Sequence, residues 1–140
     1  LSFDYREPIT PPLRDAMALV QKIAEDEGVN RKKIYVTGLS MGGMGTFEAV
    51  SRFPNTFAAA LPICGGGDTL HYEKVKTRFW VFHGSADAVV DVKYSRAMVD
   101  RLKEKKVKVK YTEYPGVNHN SWDNAFAEDD VLKWMYSKRK

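Results

Sequence analysis

The sequence predicts an α/β fold, a mainly parallel sheet flanked by helices, on three observations. Short β-branched or aromatic runs alternate with amphipathic stretches at helical spacing. The apolar runs stop at glycine or at a His-Gly step. No repeat, low-complexity tract or linker interrupts the alternation, so a single domain over 1–140 is expected. Strands that alternate with helices pair in parallel through crossovers, and such sheets place ligands beyond the carboxyl ends of their strands. The loops that follow the strands are therefore where chemistry is to be sought.

Taken in order, Pro8-Ile9-Thr10-Pro11-Pro12 precedes apolar residues at Leu13, Ala16, Met17, Val20, Ile23 and Ala24, an amphipathic helix that ends before Gly28 and that Thr10 would cap. Ile34-Tyr35-Val36-Thr37 reads as a buried strand, and a second helix runs from about Met41 to Arg52. The runs Phe57 to Ile63, ending at Gly65-Gly66-Gly67, and Phe79 to Phe82, ending at His83-Gly84, are two further buried strands. Val92 to Lys106 is helical, Val107 to Tyr114 alternates as an outer strand does, and Asp123 to Ser137 closes the chain as one helix.

Composition narrows the function classes. With 140 residues, 44% hydrophobic and 29% charged, the chain is that of a globular domain, neither disordered nor fibrous. The net charge of +4 is spread along the sequence and offset by 18 acids, so no nucleic-acid partner is expected. Lys103 to Lys110 reads as a solvated face, and Lys138-Arg139-Lys140 suits the carboxyl end of a helix. A single cysteine, Cys64, excludes an internal disulfide and cannot by itself make a structural zinc site. No apolar run is long enough to span a bilayer, Leu1 to Pro8 has no signal-peptide pattern, and the compartment stays open.

Directly after the first strand stands Gly38-Leu39-Ser40-Met41-Gly42, then Gly43, which matches the G-x-S-x-G nucleophile elbow. Such a motif arises by chance in roughly a few per cent of chains this long. Its context carries the argument: a serine between a strand and a helix sits on a tight turn, where small neighbours at 38 and 42 let the two elements approach while Oγ projects from the sheet. The backbone N–H of Met41, at the amino end of that helix, is the expected oxyanion donor.

An acid and a base follow in chain order. Asp87, in His83-Gly84-Ser85-Ala86-Asp87, is the candidate acid; Asp91, read as the cap of the next helix, and Asp68, after the triple glycine and a candidate pocket residue, are its rivals. His119, in the loop Pro115 to Trp122, is the candidate base, completing the order Ser, Asp, His. His83, at a strand end, suits a bond to the acid loop's backbone; His71 is assigned no chemistry. These roles predict attack by Ser40 on a carbonyl, with His119 as general base and Asp87 holding its tautomer.

The segments Tyr35 to Gly43, Pro62 to Asp68 and His83 to Asp87 together resemble the α/β-hydrolase superfamily, above all its polyhydroxybutyrate-depolymerase, feruloyl-esterase and predicted-peptidase-like carboxylesterases. The resemblance implies hydrolysis of a small-molecule ester with no metal or organic cofactor. Trp122 resembles the aromatic wall those esterases place by the site, although packing under the last helix explains it equally. Met41, Met44, Trp80 and Trp122 are pocket or core on the same footing.

Members of that superfamily carry strands before the nucleophile strand, with a loop that supplies a second oxyanion donor. Nothing here corresponds to them, so the expectation is a C-terminal catalytic portion with its nucleophile strand open at one edge, and the N-terminal half of the same domain as a partner. Two other readings stay open. A serine peptidase of the prolyl-oligopeptidase type shares the triad order, and a hydrolase-fold module that only binds a partner would be expected to have lost a triad member.

Overall fold

The computed structural model describes residues 3–140; Leu1 and Ser2 lie outside the described residues. The elements are α1 (Pro11–Ala24), β1 (Tyr35–Leu39), α2 (Met41–Arg52), β2 (Ala59–Ile63), β3 (Arg78–Gly84), α3 (Lys93–Glu104), β4 (Val109–Tyr114), α4 (Ser121–Phe126) and α5 (Val131–Tyr136). The four strands form one parallel sheet in the order β1-β2-β3-β4. Every strand therefore delivers its carboxyl end, and the loop that follows it, to the same edge of the sheet.

Side-chain alternation along the central strands builds a core on each face. Phe79 and Val81 of β3 join Ala60, Phe47, Val50, Met98 and Leu102 in a cluster with α2 and α3. Trp80 and Phe82 face the other way, joining Leu61 and Ile63 under Ala125 of α4 and Val131 of α5. Being covered on both faces, β2 and β3 read as nearly unbroken apolar runs. The Leu102 side chain is fully buried, so Leu102→Ala is expected to cost about 2–5 kcal/mol in urea unfolding, as a cavity among packed neighbours does.

Edge positions follow different rules. β1 pairs only with β2 among the described residues, and Thr37 and Leu39 are exposed. On α1 only Met17 is buried, while Ile23 of the foreseen apolar stripe remains 49% exposed, so the described residues cover only part of that stripe.

Three local expectations need correction. The closing helix is two short helices, not one: Glu128-Asp129-Asp130 would oppose the dipole at a helix carboxyl end but suits the amino end of α5, where Asp130 O accepts from Trp134 N at 2.7 Å. Tyr114 donates to Glu128 at 2.8 Å and holds the break in place. Thr10 occupies the cap position of α1 without a side-chain bond; Pro12 lacks one of the N–H groups a cap would satisfy, and Pro11 presets the first turn of the helix. Asp91 precedes the cap position, which is Val92, yet it opens α3 by accepting Lys93 N on Oδ1 at 2.9 Å.

Candidate active site

Ser40 sits between β1 and α2 with φ 54° and ψ −117°, a conformation that L residues adopt only when their surroundings impose it. Its N–H donates to Ile63 O at 3.0 Å, which ties the turn to the end of β2. Close approach makes the neighbouring glycines necessary. A Cβ on Gly38 would lie 2.2 Å from Gly42 O, and one on Gly43 would lie 2.5 Å from Ile63 O. Gly42 is different, since a Cβ there meets nothing within 4 Å; the second glycine required sterically is Gly43. Gly43→Ala is therefore expected to lower stability by about 1–3 kcal/mol through overpacking, whereas Gly42→Ala, within a helix, is neutral or stabilising, as paired thermal melts would read.

The acid and histidine loops are stitched together. Ala86 N donates to Val117 O at 3.0 Å, Gly116 N to Ser85 Oγ at 2.8 Å and Ala88 N to Asn118 Oδ1 at 2.9 Å. Gly84 lets the loops close, since a Cβ there would lie 2.2 Å from Val117 O. Each loop thus supplies hydrogen-bond partners for the other.

This scaffold brings Ser40, His119 and Asp87 together. His119 Nε2 lies 2.9 Å from Ser40 Oγ, and His119 Nδ1 lies 2.8 Å from Asp87 Oδ2. Asp87 Oδ1 accepts from the N–H groups of Val89 and Val90 at 2.9 and 2.8 Å, and its side chain is buried. Burial alone pushes the Asp87 carboxyl up, but the bonds from His119, Val90 and Val89 outweigh it and hold it below the ordinary carboxylate range. An ionised Asp87 requires the proton on Nδ1, which leaves Nε2 free to accept from the serine hydroxyl.

Two side chains under the site were not read as part of it. His83, fully buried, bonds Val90 O through Nε2 at 2.8 Å, the backbone contact expected for it, and the same nitrogen lies 3.2 Å from Asp87 Oδ2. Two acceptors at Nε2 place its proton there, while Nδ1 faces the Ser95 hydroxyl at 2.7 Å. Cys64 (φ 41°) follows β2 directly, with Sγ 3.3 Å from Ser40 N and within 4.8 Å of ligand atoms of Asp87 and His119. Its place in a loop after a strand was the available signal. Burial pushes the Cys64 thiol up, which disfavours the thiolate form that a nucleophile would need. The buried Ser121 hydroxyl lies against it.

Of the remaining candidates, Met41 is the first residue of α2, 81% exposed, and its N–H has no acceptor among the described residues. Trp122 is half-buried: it meets the His119 ring edge-on at 5.4 Å and also packs against the α4–α5 core. Asp68 is put to another use, accepting from Tyr5 N and Leu70 N at 2.9 Å each, so it anchors the segment before α1. No helix among the described residues is long and apolar enough to cross a membrane.

Known proteins share this architecture. The crystal structure of a thermostable esterase matches with a TM-score of 0.89 at 38% identity, over 94% of this chain and 38% of that one. Carboxylesterase SOBER1 of Arabidopsis thaliana is 30% identical over 107 residues, covering 71% of this chain and 46% of its own length. Acyl-protein thioesterase 1 of Neurospora crassa is 30% identical over 113 residues, covering 74% and 45%. The chain thus spans under half the length of these relatives. The sheet, the elbow and the flanking helices are those of the α/β-hydrolase fold, and residues 7–133 match the model of the dienelactone hydrolase family, to which this chain belongs.

Proposed function

We propose that this chain is the catalytic portion of a carboxylesterase that cleaves small-molecule esters through an acyl-enzyme on Ser40. The observation that carries the reading is the unbroken path from Asp87 Oδ2 through the His119 ring to Ser40 Oγ, with bonds of 2.8 and 2.9 Å. His119 Nε2 takes the hydroxyl proton as Oγ attacks the ester carbonyl, and the imidazolium so formed is balanced by Asp87. The N–H of Met41, at the positive end of α2, stabilises the oxyanion. Collapse expels the alcohol, protonated by His119, and water activated by the same histidine then releases the acid. The names of SOBER1 and the thermostable esterase favour an ester over a peptide substrate.

The open outer edge of β1 beside the elbow fits a sheet continued by further strands, and on this reading the second oxyanion donor belongs to a segment outside these residues. Losing one such donor commonly costs about a hundredfold or more in rate.

Treatment with a fluorophosphonate, followed by peptide mapping, tests the nucleophile without a choice of substrate. Labelling confined to Ser40, absent from Ser40→Ala and accompanied by turnover of a simple aryl ester but not of a peptide, is the expected result. Labelling elsewhere, or none in a chain joined to its remaining strands, overturns the reading.

A further inference from the structure

At the amino ends of the strands, away from the triad, lies a cavity of about 720 Å³, within the size range of small-molecule sites. Five stretches of chain meet there, four of them basic. Arg31 precedes β1, Lys76 and Arg78 lead into β3, Lys106 and Lys108 flank the turn before β4, and Arg139 comes from the chain's last residues. Lys140 closes the wall, with its Nζ donating to Asn55 O at 2.9 Å, while Arg78 donates to Arg139 O at 3.1 Å. Basic residues that lie far apart in the sequence thus converge.

Eight of the thirteen lining residues are Lys or Arg, and no Asp or Glu side chain lines the cavity. The seven Lys and Arg residues that pair with acids among the described residues all lie elsewhere. Buried Phe57, Val75 and Val107 form an apolar floor. Like charges gathered within about a Debye length repel one another and destabilise the fold unless an anion offsets them. The floor lowers the local dielectric and strengthens their pull on a ligand.

We propose that this cavity binds a small molecule carrying several closely spaced phosphate groups. Eight cations around one concave site match a dense charge better than a lone carboxylate, and the cavity's size suits a small ligand rather than a chain lying across it. The site stands apart from the triad by the length of β3, on the order of 20 Å, and does not depend on the esterase reading.

The test is calorimetric titration with inorganic tripolyphosphate at about 150 mM NaCl, where diffuse surface attraction is largely screened. Saturable one-to-one binding is expected, weakened at least about tenfold in Lys76→Glu/Lys108→Glu and unchanged in Ser40→Ala. Lys22→Glu/Lys133→Glu, which removes the same charge outside the cavity, should leave it within about twofold, and circular dichroism confirms that both double variants fold. Absent saturation, equal losses in the two double variants, citrate binding as tightly as tripolyphosphate, or displacement by a short DNA duplex at lower concentration would each overturn the proposal.

Discussion

Ser40→Ala should lower kcat for a simple ester by about 10⁶-fold, leaving only what substrate binding and the oxyanion donor contribute. The loss should be confined to chemistry. The turn is held by Ser40 N–H to Ile63 O at 3.0 Å and by Ser40 O, which accepts from Met44 N at 3.1 Å, and alanine keeps both bonds. Alanine also bears the strain of φ 54° no worse than serine does. Unfolding free energies from urea titration should therefore agree within about 0.5 kcal/mol. A variant that kept a tenth of the activity would exclude Ser40 as nucleophile, and one that unfolded would leave the fluorophosphonate mapping to decide.

Asp87→Asn is expected to cost about 10⁴-fold in kcat through the wrong tautomer of His119. The amide oxygen would replace Oδ1, where Val89 and Val90 donate, and the NH₂ group would then face His119 Nδ1. Nδ1 must become an acceptor, so the proton moves to Nε2 and meets the Ser40 hydroxyl with no base. His83 Nε2, 3.2 Å from Oδ2, would face a second donor, so some stability should be lost as well.

The same variant predicts a pH effect. The folded carboxyl titrates below its unfolded value, so its ionised form stabilises the fold above the ordinary carboxylate range, and this contribution fades as pH falls through the folded value. Asp87→Asn should therefore flatten the acid decline in urea midpoint. An unchanged slope would mean that other carboxylates carry the decline.

The strands, the elbow and the placing of Ser40, Asp87 and His119 in loops after strands were legible in the sequence because each rests on local rules. β-branched runs bounded by glycine form strands wherever they are covered, and Gly38 to Gly43 specifies a strand–turn–helix within six residues. The parallel layering follows from alternation alone, and it sends Ser40, Asp87 and His119 to one edge of the sheet.

What the tertiary structure alone decided is non-local. The need for glycine at 43 rather than 42 comes from the carbonyl of Ile63, twenty residues away. The placing of His83 and Cys64 beside Asp87 depends on which strands become neighbours, and the capture of Asp68 by Tyr5 joins residues 63 apart. The basic cavity gathers four Lys- and Arg-bearing stretches that are unremarkable one by one. Periodicity and propensity report the environment along the chain, whereas hydrogen bonds and fields depend on separation in space, which is settled only when the sheet brings distant loops within a few ångströms.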